Sequence, residues 1–137
     1  MTKSILSTAA ASGIALFAVN AVASYYHWYD RVQYFDKWMH VFGGVFVFCA
    51  LLAFLLQIGW MQLTMRAILA AIVLTIVVGF LWEVYEYVIQ QWTGAQLLTI
   101  PDSITDLIAD TFGALIAAGV TFFVQDAKKR YNTVNAN

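Results

Sequence analysis

At 137 residues the chain is one domain long, with 62% hydrophobic and 11% charged residues and a mean hydropathy of +0.75. That is more apolar surface than a soluble core of this size can hide, so the solvent for which the sequence is written is lipid. A formal net charge of -1 excludes the basic field that nucleic acid requires, and the single cysteine, Cys49, excludes an internal disulfide and a thiolate metal cluster.

Hydropathy draws four spans, at about residues 5–26, 38–58, 66–90 and 104–124, each near the ~20 residues that cross a ~30 Å hydrocarbon layer. The expected fold is all-α, a four-helix transmembrane bundle forming a single integral membrane domain over residues 1–137. Ala9, Ala10, Ala11, Ser12 and Gly13 suit the first span to close helix packing in lipid. A signal peptide is the alternative there, because Lys3 precedes the apolar stretch and Ala21–Ser24, "AVAS", resembles a cleavage site.

After the first span comes "YYHWY", Tyr25–Tyr29, which with Trp92 reads as an interfacial aromatic belt that includes His27. An even number of spans puts both termini on one side. That side collects Lys3, Arg66, Lys128, Lys129 and Arg130, against Arg31 and Lys37 opposite, so both termini are expected in the cytoplasm.

The second span opens with Asp36, Lys37 and His40. The third closes with "GFLWEVYEYV", Gly79–Val88, which carries Glu83 and Glu86, and the fourth opens with Asp102, Asp106 and Asp110. Alternating spans bring all of these groups to the outer half of the bundle, while the inner half of each helix is almost purely apolar. Asp36 and His40 are spaced i, i+4, Glu83 and Glu86 i, i+3, and the aspartates i, i+4, i+8, so each set shares one helix face.

Capping explains part of this pattern. Asp36 suits the start of its helix, and "PDSITD" reads as a helix start with Pro101 before it, Asp102 or Ser103 at the N-cap and Asp106 in the capping-box position. Glu83 and Glu86, however, stand in last turns, where the helix dipole disfavours negative charge, and His40 and Asp110 lie inside their spans. An ionisable residue at such depth costs roughly 2.5–3.5 kcal/mol on insertion scales and usually faces a bundle interior or wet cavity as a functional group.

Several carboxylates sharing a site cannot all stay ionised without compensation. Protonation, a wet vestibule or a bound cation would each supply it. Imidazole with carboxylates suits a divalent ion of the Zn, Mn or Fe kind, so Asp36, His40, Glu83, Glu86, Asp106 and Asp110 are the candidate ligands. Asp102 and Asp110 stand ~12 Å apart along an ideal helix, so three aspartates cannot bind one ion. Gly43, Gly44, Gly79, Gly113 and Gly119 fall inside the expected helices and read as close-packing positions, with no GxxxG pattern among them.

The motifs "FDKWMHVFGG", "WEVYEY" and "PDSITDLIADTFGALIAA", over roughly residues 34–119, carry a resemblance. They resemble the YjdF-like bacterial inner-membrane proteins and, more distantly, the VanZ-like family, through Asp36, Lys37, His40, Trp82, Glu83, Glu86, Asp102, Asp106, Asp110 and Gly113. The resemblance implies a multi-pass protein of the bacterial inner (plasma) membrane. VanZ-like members are associated with resistance to glycopeptide antibiotics of the teicoplanin type. This chain departs from their pattern in having Glu86 where a glutamine is expected and no arginine before the aspartates.

Three functions are compatible with these residues. One is a metal-assisted enzyme acting on a membrane lipid or lipid-linked head group at the outer leaflet, with Glu83, Glu86 and Asp110 in acid/base roles and Lys37 either at a phosphate or snorkelling. The second is a cation- or proton-binding or transport protein. The third is a structural module fastened by a carboxylate network. No serine nucleophile elbow, HExxH or phosphate-cradling glycine loop is present.

Overall fold

The computed structural model describes residues 2–94 and 99–135, and among these the secondary structure is all helical. Four long helices, α1 (Thr2–Tyr25), α3 (Phe35–Gln57), α4 (Met65–Thr93) and α5 (Ile100–Val134), are joined by turns and by the one-turn helix α2 (Trp28–Arg31). Each long helix has the length and hydropathy to cross a membrane, which bears out the expected fold class.

The helix ends correct several sequence expectations. α5 starts at Ile100 because Thr99 caps it, its hydroxyl accepting from the Asp102 N–H at 3.4 Å, with Pro101 in the first turn. Asp102 and Ser103 are therefore not the cap, and Asp106 is not in a capping box. Nor does Asp36 cap α3: the N-cap is Tyr34, which has no side-chain cap bond, and Asp36 sits in the first turn, where the helix dipole favours it. α4 runs on to Thr93 and stops at Gly94, whose left-handed φ of 70° closes the helix C-terminus. α5 continues to Val134, well beyond residue 124, because Gln125–Val134 is rich in helix formers and carries an Asp126–Arg130 pair at 2.9 Å one turn apart.

α3 is the central helix. It packs against α1, α4 and α5, whereas α1 makes no backbone contact with α4 or α5 among the described residues. Phe48 and Leu52 of α3 are fully buried, surrounded by Ala67 and Ala71 of α4, Ala114, Ala117 and Ala118 of α5, and Ala9 of α1. Small side chains let the backbones approach, which is how helices gain contact in lipid, where burying apolar surface gives no advantage over the lipid tails. Large apolar residues such as Ile14, Phe17, Trp60 and Phe123 point outward, as lipid permits.

This apolar core fills one half of the bundle. The other half holds the buried ionisable residues His40, Glu83, Asp106 and Asp110. There α2 is fastened over the start of α3 by edge-on stacking of Trp28 and Tyr29 against Phe35, with centroids 5.6 and 5.1 Å apart. His27 and Tyr34, on either side of α2, both take left-handed backbone, at φ 57° and 60°. Such positions cost roughly 1–3 kcal/mol in non-glycine residues and need fixing by their surroundings, which the aromatic stack supplies.

Candidate metal centre

The site is assembled by close approach of the α3 and α5 backbones beside α4. Gly44 of α3 lies against the backbone carbonyl of Asp110, and Gly113 of α5 lies against the carbonyl of Val41, so that a Cβ at either would strike main chain. Gly79 of α4 leaves room for the Asp110 side chain, since a Cβ there would come within 2.7 Å of Asp110 Oδ2. The close-packing role expected of these three glycines is what the structure shows. Gly119 differs, for a Cβ there would meet open space.

With the helices this close, the polar faces of α3, α4 and α5 converge. Lys37 Nζ donates to Asp102 Oδ1 at 2.5 Å and to Asp106 Oδ1 at 2.6 Å, and stands 3.6 Å from Asp36 Oδ2. It is held by three carboxylates, one of which, Asp106, has a side chain only 2% exposed. The imidazole of His40 is also buried. Its Nε2 lies 3.9 Å from Asp36 Oδ1 and 3.7 Å from Asp106 Oδ1, while its Nδ1 faces Asp110 Oδ2 at 3.3 Å.

α4 supplies the third wall. Glu83 is 7% exposed, and both its carboxylate oxygens are buried without a hydrogen-bond partner among the described residues. The Ser103 hydroxyl approaches from α5 but closes no bond with it. Glu86, one turn on and half-buried, accepts a 2.9 Å hydrogen bond from Trp82 Nε1. Tyr29 of α2 reaches the rim, where its hydroxyl donates to Asn20 Oδ1 at 2.6 Å. Burial, together with the nearby Asp36 and Glu86 carboxylates, pushes that hydroxyl above its ordinary pKa.

Two sets of side chains present ligand atoms within 4.8 Å of one another, Asp36/His40/Asp106 and His40/Glu83/Glu86. A metal–ligand bond of about 2.1 Å requires ligand atoms roughly 3–4 Å apart, so small side-chain movements would close either set on an ion. Of the six sequence-derived candidates, five fall in these sets and Asp110 falls in neither. Three features escaped the sequence reading: Thr99 as the α5 cap, the pairing of Lys37 with Asp102 and Asp106, and Tyr29 at the rim. The Asp-Lys pair at the start of α3 signalled a neutralising cation near the aspartates, but no local signal marks Tyr29.

The helices and their contents define a polytopic membrane protein with a buried His/Asp/Glu cluster that could hold a metal ion. The chain belongs to the family described as Predicted membrane protein (DUF2238), whose family model matches residues 2–127, consistent with the YjdF-like resemblance. Comparison with curated proteins and with solved structures returns no match.

Proposed function

We propose that this protein is a membrane metalloprotein that holds one divalent first-row ion on His40, Glu83 and Glu86. The observation that carries the reading is Glu83, a buried carboxylate with neither oxygen hydrogen-bonded among the described residues, beside an imidazole and a second carboxylate at ligand spacing. A buried carboxylate without a partner is among the most costly groups a fold can keep, and a cation removes the cost.

Charge distribution favours this end of the cluster. Lys37 already neutralises the Asp36/Asp102/Asp106 side, so a second cation there would face an ammonium. His40, Glu83 and Glu86 have no such neighbour among the described contacts. Imidazole with carboxylates is a Zn, Mn or Fe donor set.

The chemistry we propose for the site is metal-assisted attack on the head group of a membrane lipid or lipid-linked substrate, at the outer leaflet of the bacterial inner membrane, with both termini cytoplasmic. Glu86, half-buried at the rim with Oε1 bonded to Trp82, is the proton-transfer group we propose, and the ion would supply an activated water. Binding is favoured over conduction because the opposite half of the bundle is closed by Phe48, Leu52 and alanines. Elemental analysis of purified protein tests the reading: about one equivalent of Zn, Mn or Fe per chain is expected, lost in Glu83→Gln. A metal-free protein that takes up none of these ions would sink it.

A further inference from the structure

Asp110 is as buried as Glu83, 7% exposed, yet it is in neither set of potential ligands. Two helices give up side chains to make room for it. Gly79 of α4 would bring a Cβ within 2.7 Å of its Oδ2, and Gly44 of α3 would meet its main-chain carbonyl, whereas a Cβ on Gly43 would sit at ordinary contact distance, 3.7 Å, from its Oδ1. The polar atom facing its carboxylate is His40 Nδ1, at 3.3 Å from Oδ2. A carboxylate walled by glycines and aimed at one ring nitrogen is set to control that ring.

We infer that Asp110 is a positioning residue that fixes the tautomer of His40, an assignment that rests on the metal reading above. Its carboxylate accepts the Nδ1–H, so the neutral ring carries its lone pair on Nε2. That nitrogen is turned away from Asp110, 3.9 Å from Asp36 Oδ1 and 3.7 Å from Asp106 Oδ1, and since His40 is at ligand spacing with Glu83 and Glu86 as well, it is the ring nitrogen left free for the ion proposed above. A carboxylate on the second nitrogen of a ligating histidine also holds the ring plane and raises the basicity of the ligand. Removing such a partner typically costs about 10- to 100-fold in metal affinity. Asp110 thus acts on the ion through His40.

The test is nitrogen NMR of the full chain in nanodiscs with ring-labelled histidine, in which the exposed His27 is the internal reference, because His27 and His40 are the two histidines in the sequence. In metal-free wild type at alkaline pH, with the ring neutral, the His40 hydrogen is expected on Nδ1, and added Zn should shift Nε2. Asp110→Asn and Asp110→Ala should move the hydrogen toward Nε2 and weaken Zn binding about 10- to 100-fold. Asp102→Asn should leave the tautomer unchanged.

A wild-type neutral ring with its hydrogen on Nε2 overturns the inference without any variant having to fold. Zn binding undiminished in a folded Asp110→Ala also overturns it. A wild type that shows the expected tautomer but binds no Zn, Mn or Fe instead overturns the metal reading and leaves the Asp110–His40 contact standing.

Discussion

Lys37 on α3 and Asp106 on α5, 69 residues apart in sequence, meet at 2.6 Å across the tightest seam of the bundle. Asp106 is almost wholly enclosed, so its charge depends on this ammonium. Lys37→Met is therefore expected to destabilise the protein by about 2–4 kcal/mol, a little under the ~3–5 kcal/mol typical of a broken buried pair, because Lys37 is partly exposed. Lys37→Arg keeps the charge and should lose less. Thermal unfolding in detergent measures both, and an unchanged midpoint in Lys37→Met would contradict the pairing.

Glu83 should show the opposite balance. Without metal, its ionised form is a cost to the fold, so Glu83→Gln is expected to match or exceed wild type in metal-free stability. With Zn or Mn at about 100 times the dissociation constant, wild type should gain about 2.7 kcal/mol, reversed by a chelator, and the variant should gain nothing. Equal metal-dependent shifts in both proteins would remove Glu83 from the site.

The glycine seam predicts a contrast between two identical substitutions. Gly44→Ala drives a Cβ into the main chain of Asp110, and since backbone cannot step aside as a flexible side chain can, a loss of about 1–3 kcal/mol is expected. Gly119→Ala meets open space, and its better helix propensity should leave stability unchanged or raised by up to about 1 kcal/mol. Similar effects at both positions would show that α3 and α5 are not this close.

Tyr29 predicts an alkaline component of stability. Its pKa is raised above the ordinary 10.0 in the fold, so the folded state binds this proton more tightly than the unfolded chain does. The associated stability is present in full below pH ~10 and is lost as pH rises through the folded value. Wild type should therefore lose more stability than Tyr29→Phe between about pH 9 and 11. Parallel losses across that range would place Tyr29 away from Asp36 and Glu86.

The amino-acid pattern was sufficient for the solvent, the number of long helices and the histidine and carboxylates of the polar cluster. Nothing but lipid accommodates apolar runs of this length, and helix is how a lone span satisfies its backbone in lipid. The i, i+3 and i, i+4 spacings put Asp36 with His40, and Glu83 with Glu86, on common faces whatever the tertiary arrangement.

Who pairs with whom was decided by the fold. Whether Lys37 would reach Asp102 and Asp106, whether His40 would turn Nδ1 to Asp110, and whether Glu83 would lack a hydrogen-bond partner among the described residues all depend on helix rotation and on separations of a few ångströms. Those are fixed where Gly44 and Gly113 meet main chain on the facing helix, and a contact between residues some 70 positions apart leaves no periodic trace in either segment. Sequence could name the carboxylates. Only close packing of α3, α4 and α5 divides them into those held by Lys37, Asp110 at His40 Nδ1, and Glu83 and Glu86 on the α4 wall.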